Sequence, residues 1–180
     1  LWLSNPRSGR NLNEFYWRGY GAFQEFIPVA EDQARYDLVL TAAREDVDVL
    51  DGIPEGPPIQ VAPWKSLIAT AWSIPKEEIV LNKSLSIKVW EIAKKLNEDF
   101  GGGTLVVGVA VHEKLLRLTC AFAVLCGSFS HGKLRVEEKH LQFADEFLRM
   151  TLDKKSFGYG AYIREFKRAQ KKKVENVAFI

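Results

Sequence analysis

The chain has 180 residues, 47% hydrophobic and 27% charged, a balance that excludes a disordered or fibrous polypeptide and fits an ordinary globular one. Lys and Arg total 25 against 23 Asp and Glu, so the net charge of +2 creates no whole-molecule field for nucleic acid or an anionic membrane, and any such contact must be local. No apolar run approaches the roughly 20 residues needed to cross a bilayer, and the N-terminus lacks a secretory pattern, which predicts a cytoplasmic protein with no membrane partner.

Leu1 to Ser4 predicts a short apolar strand, ended by the turn-forming Asn5-Pro6-Arg7-Ser8-Gly9. Because the chain opens inside that stretch and without Met, it is expected to be cut from something longer. The segment Phe15 to Phe26 is rich in aromatics, which suit either a core or base stacking beside Arg18. Tyr36 to Thr41, through the unbroken Leu38, Val39 and Leu40, predicts a second strand buried on both faces, as in a parallel sheet. The stretch Gly52 to Pro63 holds four prolines and two glycines and must be a connector.

No proline follows Pro75, and the pattern becomes helical. Pro63 suits the first turn of a short helix reaching Trp72. Leu85, Val89, Ile92, Leu96 and Phe100 recur at spacings of three and four, predicting an amphipathic helix capped by Asn82 and stopped at Gly101-Gly102-Gly103. Val111 to Cys126 is apolar nearly all round and is expected at the centre of a bundle. Its two cysteines, Cys120 and Cys126, stand about 9 Å of helix rise apart and are expected as reduced core residues. Lys133 to Val136 reads as a short strand or turn, Glu137 to Leu152 as another amphipathic helix, and Tyr159 onward as helix up to Lys171-Lys172-Lys173. The expected fold is α+β and mostly α, divided at 1–62, 63–157 and 158–180.

No self-sufficient catalytic constellation is present in the sequence. His112, His131 and His140 lack metal-ligand spacing, so no metal site is expected. There is no G-x-x-x-x-G-K-[ST] loop to cradle phosphates. In an open α/β sheet, ligands bind beyond the carboxyl ends of strands, where Asn5 would orient a water or a phosphate. Arg35, at the entry of the second expected strand, lies toward the outer edge and suits a neighbouring subunit's site.

Ser4-Asn5-Pro6-Arg7 and Ala34-Arg35-Tyr36-Asp37-Leu38-Val39 resemble, in order, the sensor-1 and arginine-finger segments of MCM-type AAA+ ATPases, the replicative DNA helicase family. Glu113-Lys114-Leu115-Leu116-Arg117-Leu118, Leu152-Asp153-Lys154 and Phe157-Gly158-Tyr159 are similar to that family's lid and the lead into its C-terminal winged helix, so the resemblance covers roughly Leu1 to Tyr162. It implies that 1–62 is the end of an AAA+ α/β core with two short strands, 63–157 a helical lid-type bundle, and 158–180 a basic tail toward a further domain.

By the same resemblance, Asn5 is the sensor-1 residue that orients the attacking water, and Arg35 is the arginine finger inserted into the adjacent protomer's site. The family's sensor-2 arginine has no counterpart in Ala110-Val111-His112-Glu113-Lys114, which leaves His112 or Arg117 as substitutes and marks the chain as divergent. Arg7, Lys171, Lys172 and Lys173 are candidates for touching nucleic-acid phosphates. ATP, Mg²⁺, DNA and a ring of further copies are implied for the full-length gene product. This chain, lacking the phosphate loop, is expected to hold no cofactor and to be inactive alone. The alternatives are a surface pair of Arg35 with Glu31 or Asp32, a structural pair for Arg117, and a non-catalytic helical interaction or DNA-binding module.

Overall fold

The computed structural model describes residues 3–6, 9–46, 61–102, 106–108 and 110–177. Regular structure in them is mostly helical: α1 (Arg18–Phe26) and α2 (Ala30–Ala34), which the sequence pattern does not predict, then, where helices are expected, α3 (Val61–Ser73), α4 (Lys83–Phe100), α5 (Val111–Leu125), α6 (Glu138–Asp153) and α7 (Tyr159–Val177). The β component is one small sheet of β1 (Ile79–Val80), β2 (Phe129–Ser130) and β3 (Lys133–Arg135), ordered β1-β3-β2.

The helical bundle follows from its apolar stripes. On α4, Leu85, Val89, Ala93, Leu96 and Phe100 are buried, and the Asn82 side chain caps the helix by accepting from the Leu85 amide at 2.7 Å. Helix α5 packs against both α4 and α6, with Leu115 and Ala123 fully enclosed. Helix α6 presents Leu141, Ala144, Leu148 and Leu152 to this core. Cys120 is half-buried beside it, whereas Cys126 is exposed where α5 ends, so only the first of the two cysteines belongs to the interior.

The sheet clasps the bundle's edge. β3 pairs in parallel with β1, Ile79 opposite Leu134, and antiparallel with β2, Phe129 opposite Leu134. The β2–β3 turn is the pair His131 and Gly132, both at positive φ (51° and 74°), the backbone that a tight primed hairpin demands. Leu134 is thereby buried at the sheet's centre.

The two front strands are not formed in the described residues. Leu3 to Pro6 and Leu38 to Thr41 lie outside any strand, and the backbone of residues 38–40 makes no backbone hydrogen bond among them. A strand exists through its ladder to a neighbour, and among the described residues no neighbouring strand flanks either segment. Leu1, Trp2 and Arg7 lie outside the described residues.

Helix α1 docks instead onto the α6–α7 turn. The fully buried Tyr20 ring meets Tyr159 at 5.0 Å and Tyr162 at 4.9 Å, and the Gly19 amide donates to the Ser156 carbonyl at 2.9 Å. With Phe15 buried as well, much of the aromatic segment is core rather than a stacking platform. No described helix is long and apolar enough to cross a membrane.

Candidate functional site

Arg35 follows the last turn of α2, where its amide donates to the Asp32 carbonyl at 3.2 Å. Its side chain is 80% exposed, with Nη1 3.5 Å from the Asp32 carboxylate, itself half exposed. The surface pairing with Asp32 is thus present, and it is loose. An exposed pair of this kind contributes about 0–1 kcal/mol, less than a charge-assisted hydrogen bond to an anion, so the guanidinium can be drawn away by a phosphate.

The residues around Arg35 are anchored far more firmly. Gln33 is buried and donates to the Ile27 carbonyl at 2.7 Å. The Tyr36 ring meets Phe23 edge to face at 5.6 Å. Asp37 receives Arg117 of α5: Nε is 3.0 Å from both carboxylate oxygens and Nη2 is 2.6 Å from Oδ1. Residues 36–39 run over Leu96, Val111, Leu148 and Phe157 of the bundle.

At the far end of this strap, the Lys154 ammonium donates to the Thr41 carbonyl at 2.8 Å and lies 3.0 Å from the Asp46 carboxylate. Burial pushes the Asp46 carboxyl up, but hydrogen bonds from Ser156 and the Ala43 amide, with Lys154, outweigh it and hold the group below its ordinary value. The strap is therefore tied to α5 at one end and to the end of α6 at the other.

Asn5 is exposed and lines a cavity of about 330 Å³. Leu3 to Pro6 form one wall, Leu38 to Ala42 another, and Ala22, Phe23 and Ile27 line the rest. Asn5 and Tyr36 share this cavity, which brings the two sequence-predicted segments to one place despite the absence of strands.

The lid candidates are engaged otherwise. His112 stacks on Trp90 with ring centroids 3.9 Å apart and an interplanar angle of 18°. Arg117 holds Asp37 and, at 3.4 Å, Glu113 on its own helix, which is the structural pairing. Lys171, Lys172 and Lys173 are exposed on the last turns of α7. Among the described residues no three His, Cys, Asp or Glu side chains gather to hold a metal ion.

Sequence reasoning missed two participants. Asp37 stands 80 residues from Arg117, and its only sequence signal is a carboxylate beside three apolar residues. Lys114 is buried and donates to the Val106 carbonyl at 3.1 Å, and desolvation lowers its pKa. The chain matches no protein-family model, no curated protein and no solved structure.

Proposed function

We propose that this chain supplies one side of an ATP-hydrolysing site of an MCM-like AAA+ DNA helicase, with Arg35 reaching a nucleotide held by an adjacent copy and α4–α6 serving as the lid. The observation that carries the reading is the contrast at Arg35: a guanidinium 80% exposed and loosely paired, mounted between a buried Gln33 and a doubly bonded Asp37. An exposed arginine on a fixed platform is the arrangement needed to meet charge that develops on a transferring phosphoryl group. Asn5, which lines the cavity shared with Tyr36, would hold the attacking water through its side-chain amide.

In this reading bound ATP would supply the phosphoryl group and Mg²⁺ would neutralise its charge, both held by a phosphate loop and metal ligands in another part of the full-length gene product. The chain's own share is to orient water at the Asn5 amide and to place positive charge at the Arg35 guanidinium. The exposed lysines at 171–173 would add sequence-independent phosphate contacts to DNA, sensitive to salt.

The test is ATP hydrolysis by the full-length gene product carrying Arg35→Ala. The expected result is a kcat lower by about 10³ with nucleotide still bound, as for removal of an arginine finger. An unchanged kcat overturns the assignment.

A second reading, a non-catalytic helical interaction module, draws on α3. Trp64, Ile68 and Trp72 recur every four residues and are 50%, 49% and 87% exposed, an apolar stripe of the kind partners cover. An unchanged kcat in Arg35→Ala, with loss of a binding partner in Trp72→Ala, selects that module.

A further inference from the structure

Arg117 connects α5 to the segment carrying Arg35, at the point nearest that residue. It leaves α5 and grips Asp37 through Nε and Nη2, three contacts of 2.6 to 3.0 Å. Glu113, one turn earlier on α5, steadies Nη1 from behind at 3.4 Å. Asp37 is two residues from Arg35, at most about 7 Å along an extended backbone. A planar guanidinium bound in this way fixes the carboxylate in orientation as well as in position.

The other supports of Arg35 do not replace this one. Gln33 and the Tyr36 ring hold the near side of the segment to α1 and its exit, through Ile27 and Phe23. Of these three anchors, Asp37 is the one hydrogen-bonded to a helix of the α4–α6 bundle. Leu38 and Val39 still pack on the core and Lys154 still holds Thr41 and Asp46, so removing the Asp37 anchor loosens the stretch next to Arg35 without releasing the strap.

We propose that Arg117 is a positioning residue, acting through Asp37 to set where the Arg35 guanidinium meets the phosphate, so that lid and finger move as one unit. This inference rests on the reading of Arg35 as an in-trans finger. A misplacement on the order of 1 Å costs about 10² in rate, which sets the expected scale.

The experiment is a double-mutant cycle in ATP hydrolysis by the full-length gene product, with Arg117→Gln, Arg35→Ala and the pair. Arg117→Gln is expected to lower kcat by about 10- to 100-fold with KM for ATP changed less than about twofold, and to cause no further loss in the Arg35→Ala background. A merely structural Arg117 would lower activity equally in both backgrounds, and that result overturns the proposal, as does an unchanged kcat in Arg117→Gln.

Arg117→Lys, which keeps the charge but not the fork, serves if the Gln variant does not fold; it is expected to reproduce the kcat loss in part, and full activity overturns the proposal. If Arg35→Ala itself leaves kcat unchanged, the finger assignment and this inference fall together. If Arg35→Ala is defective while Arg117→Gln is not, only this inference falls.

Discussion

Mild acid should weaken the fold through His140, and the structure sets a ceiling on the effect. The imidazole is 1% exposed, its Nδ1 accepts the Glu137 amide at 3.0 Å, and its Nε2 is buried without a hydrogen-bond partner among the described residues. Burial lowers its pKa below the ordinary 6.5, the neighbouring Lys139 charge adds to this, and Glu137 opposes it. Protonation would set Nδ1–H against the Glu137 N–H and place a cation in the first turn of α6, the positive end of its dipole.

The folded pKa is depressed, so the unfolded chain takes up the proton first. Stability is then complete above about pH 6.5 and falls as the pH descends from there toward the folded value. For one such group, titration of the unfolded chain caps the loss between pH 7 and 5.5 at about 1 kcal/mol. The control is His140→Gln, because a Gln oxygen three residues into the helix can accept the same Glu137 amide without titrating. Urea unfolding of both proteins at half-unit intervals from pH 5.5 to 7 cancels the carboxylates that they share. The wild type should lose more stability than the variant over this range. Parallel pH dependences would refute the assignment of a neutral, buried His140.

Three further substitutions test how the front segments are held. Tyr159→Phe removes the hydroxyl that donates to the Phe100 carbonyl at 2.8 Å in the core; it should cost about 1–2 kcal/mol in thermal or urea unfolding, and no change would mean another donor serves that carbonyl. Gly158→Ala places a Cβ 2.5 Å from the Trp17 carbonyl oxygen at φ +76°, so a loss of about 1–3 kcal/mol or more is expected; a neutral result contradicts the docking of α1 on this turn. Lys154→Met should raise the Asp46 pKa, followed by carboxyl NMR shifts, since Lys154 helps to keep that carboxylate ionised; an unmoved titration would place the cause elsewhere.

The bundle was legible because its signals are local. The spacing of Leu85, Val89, Leu96 and Phe100 and the capping oxygen of Asn82 are written within one helix, and the structure buries and bonds them accordingly. The front strands were not legible, because Leu38, Val39 and Leu40 are apolar whether a strand pairs them or they lie over a bundle, and only a neighbouring ladder separates the two outcomes. The site was half visible: Asn5 and Arg35 stood out by residue type and neighbourhood, but the Arg117–Asp37 pair joins elements 80 residues apart and leaves no mark in either local pattern.

If the Arg35 guanidinium serves a nucleotide bound by another copy of the protein, as proposed, two differently defective variants should complement each other. The most direct test of this claim mixes two variants of the full-length gene product, one with Arg35→Ala and one lacking the lysine of the phosphate loop that this reading requires, and reassembles them together. Each alone should be inactive, while the equimolar mixture regains ATP hydrolysis, up to about a quarter of wild type if every interface of the ring works alone, because one interface in four joins an intact finger to an intact loop. A mixture as inactive as its two parents would contradict the claim.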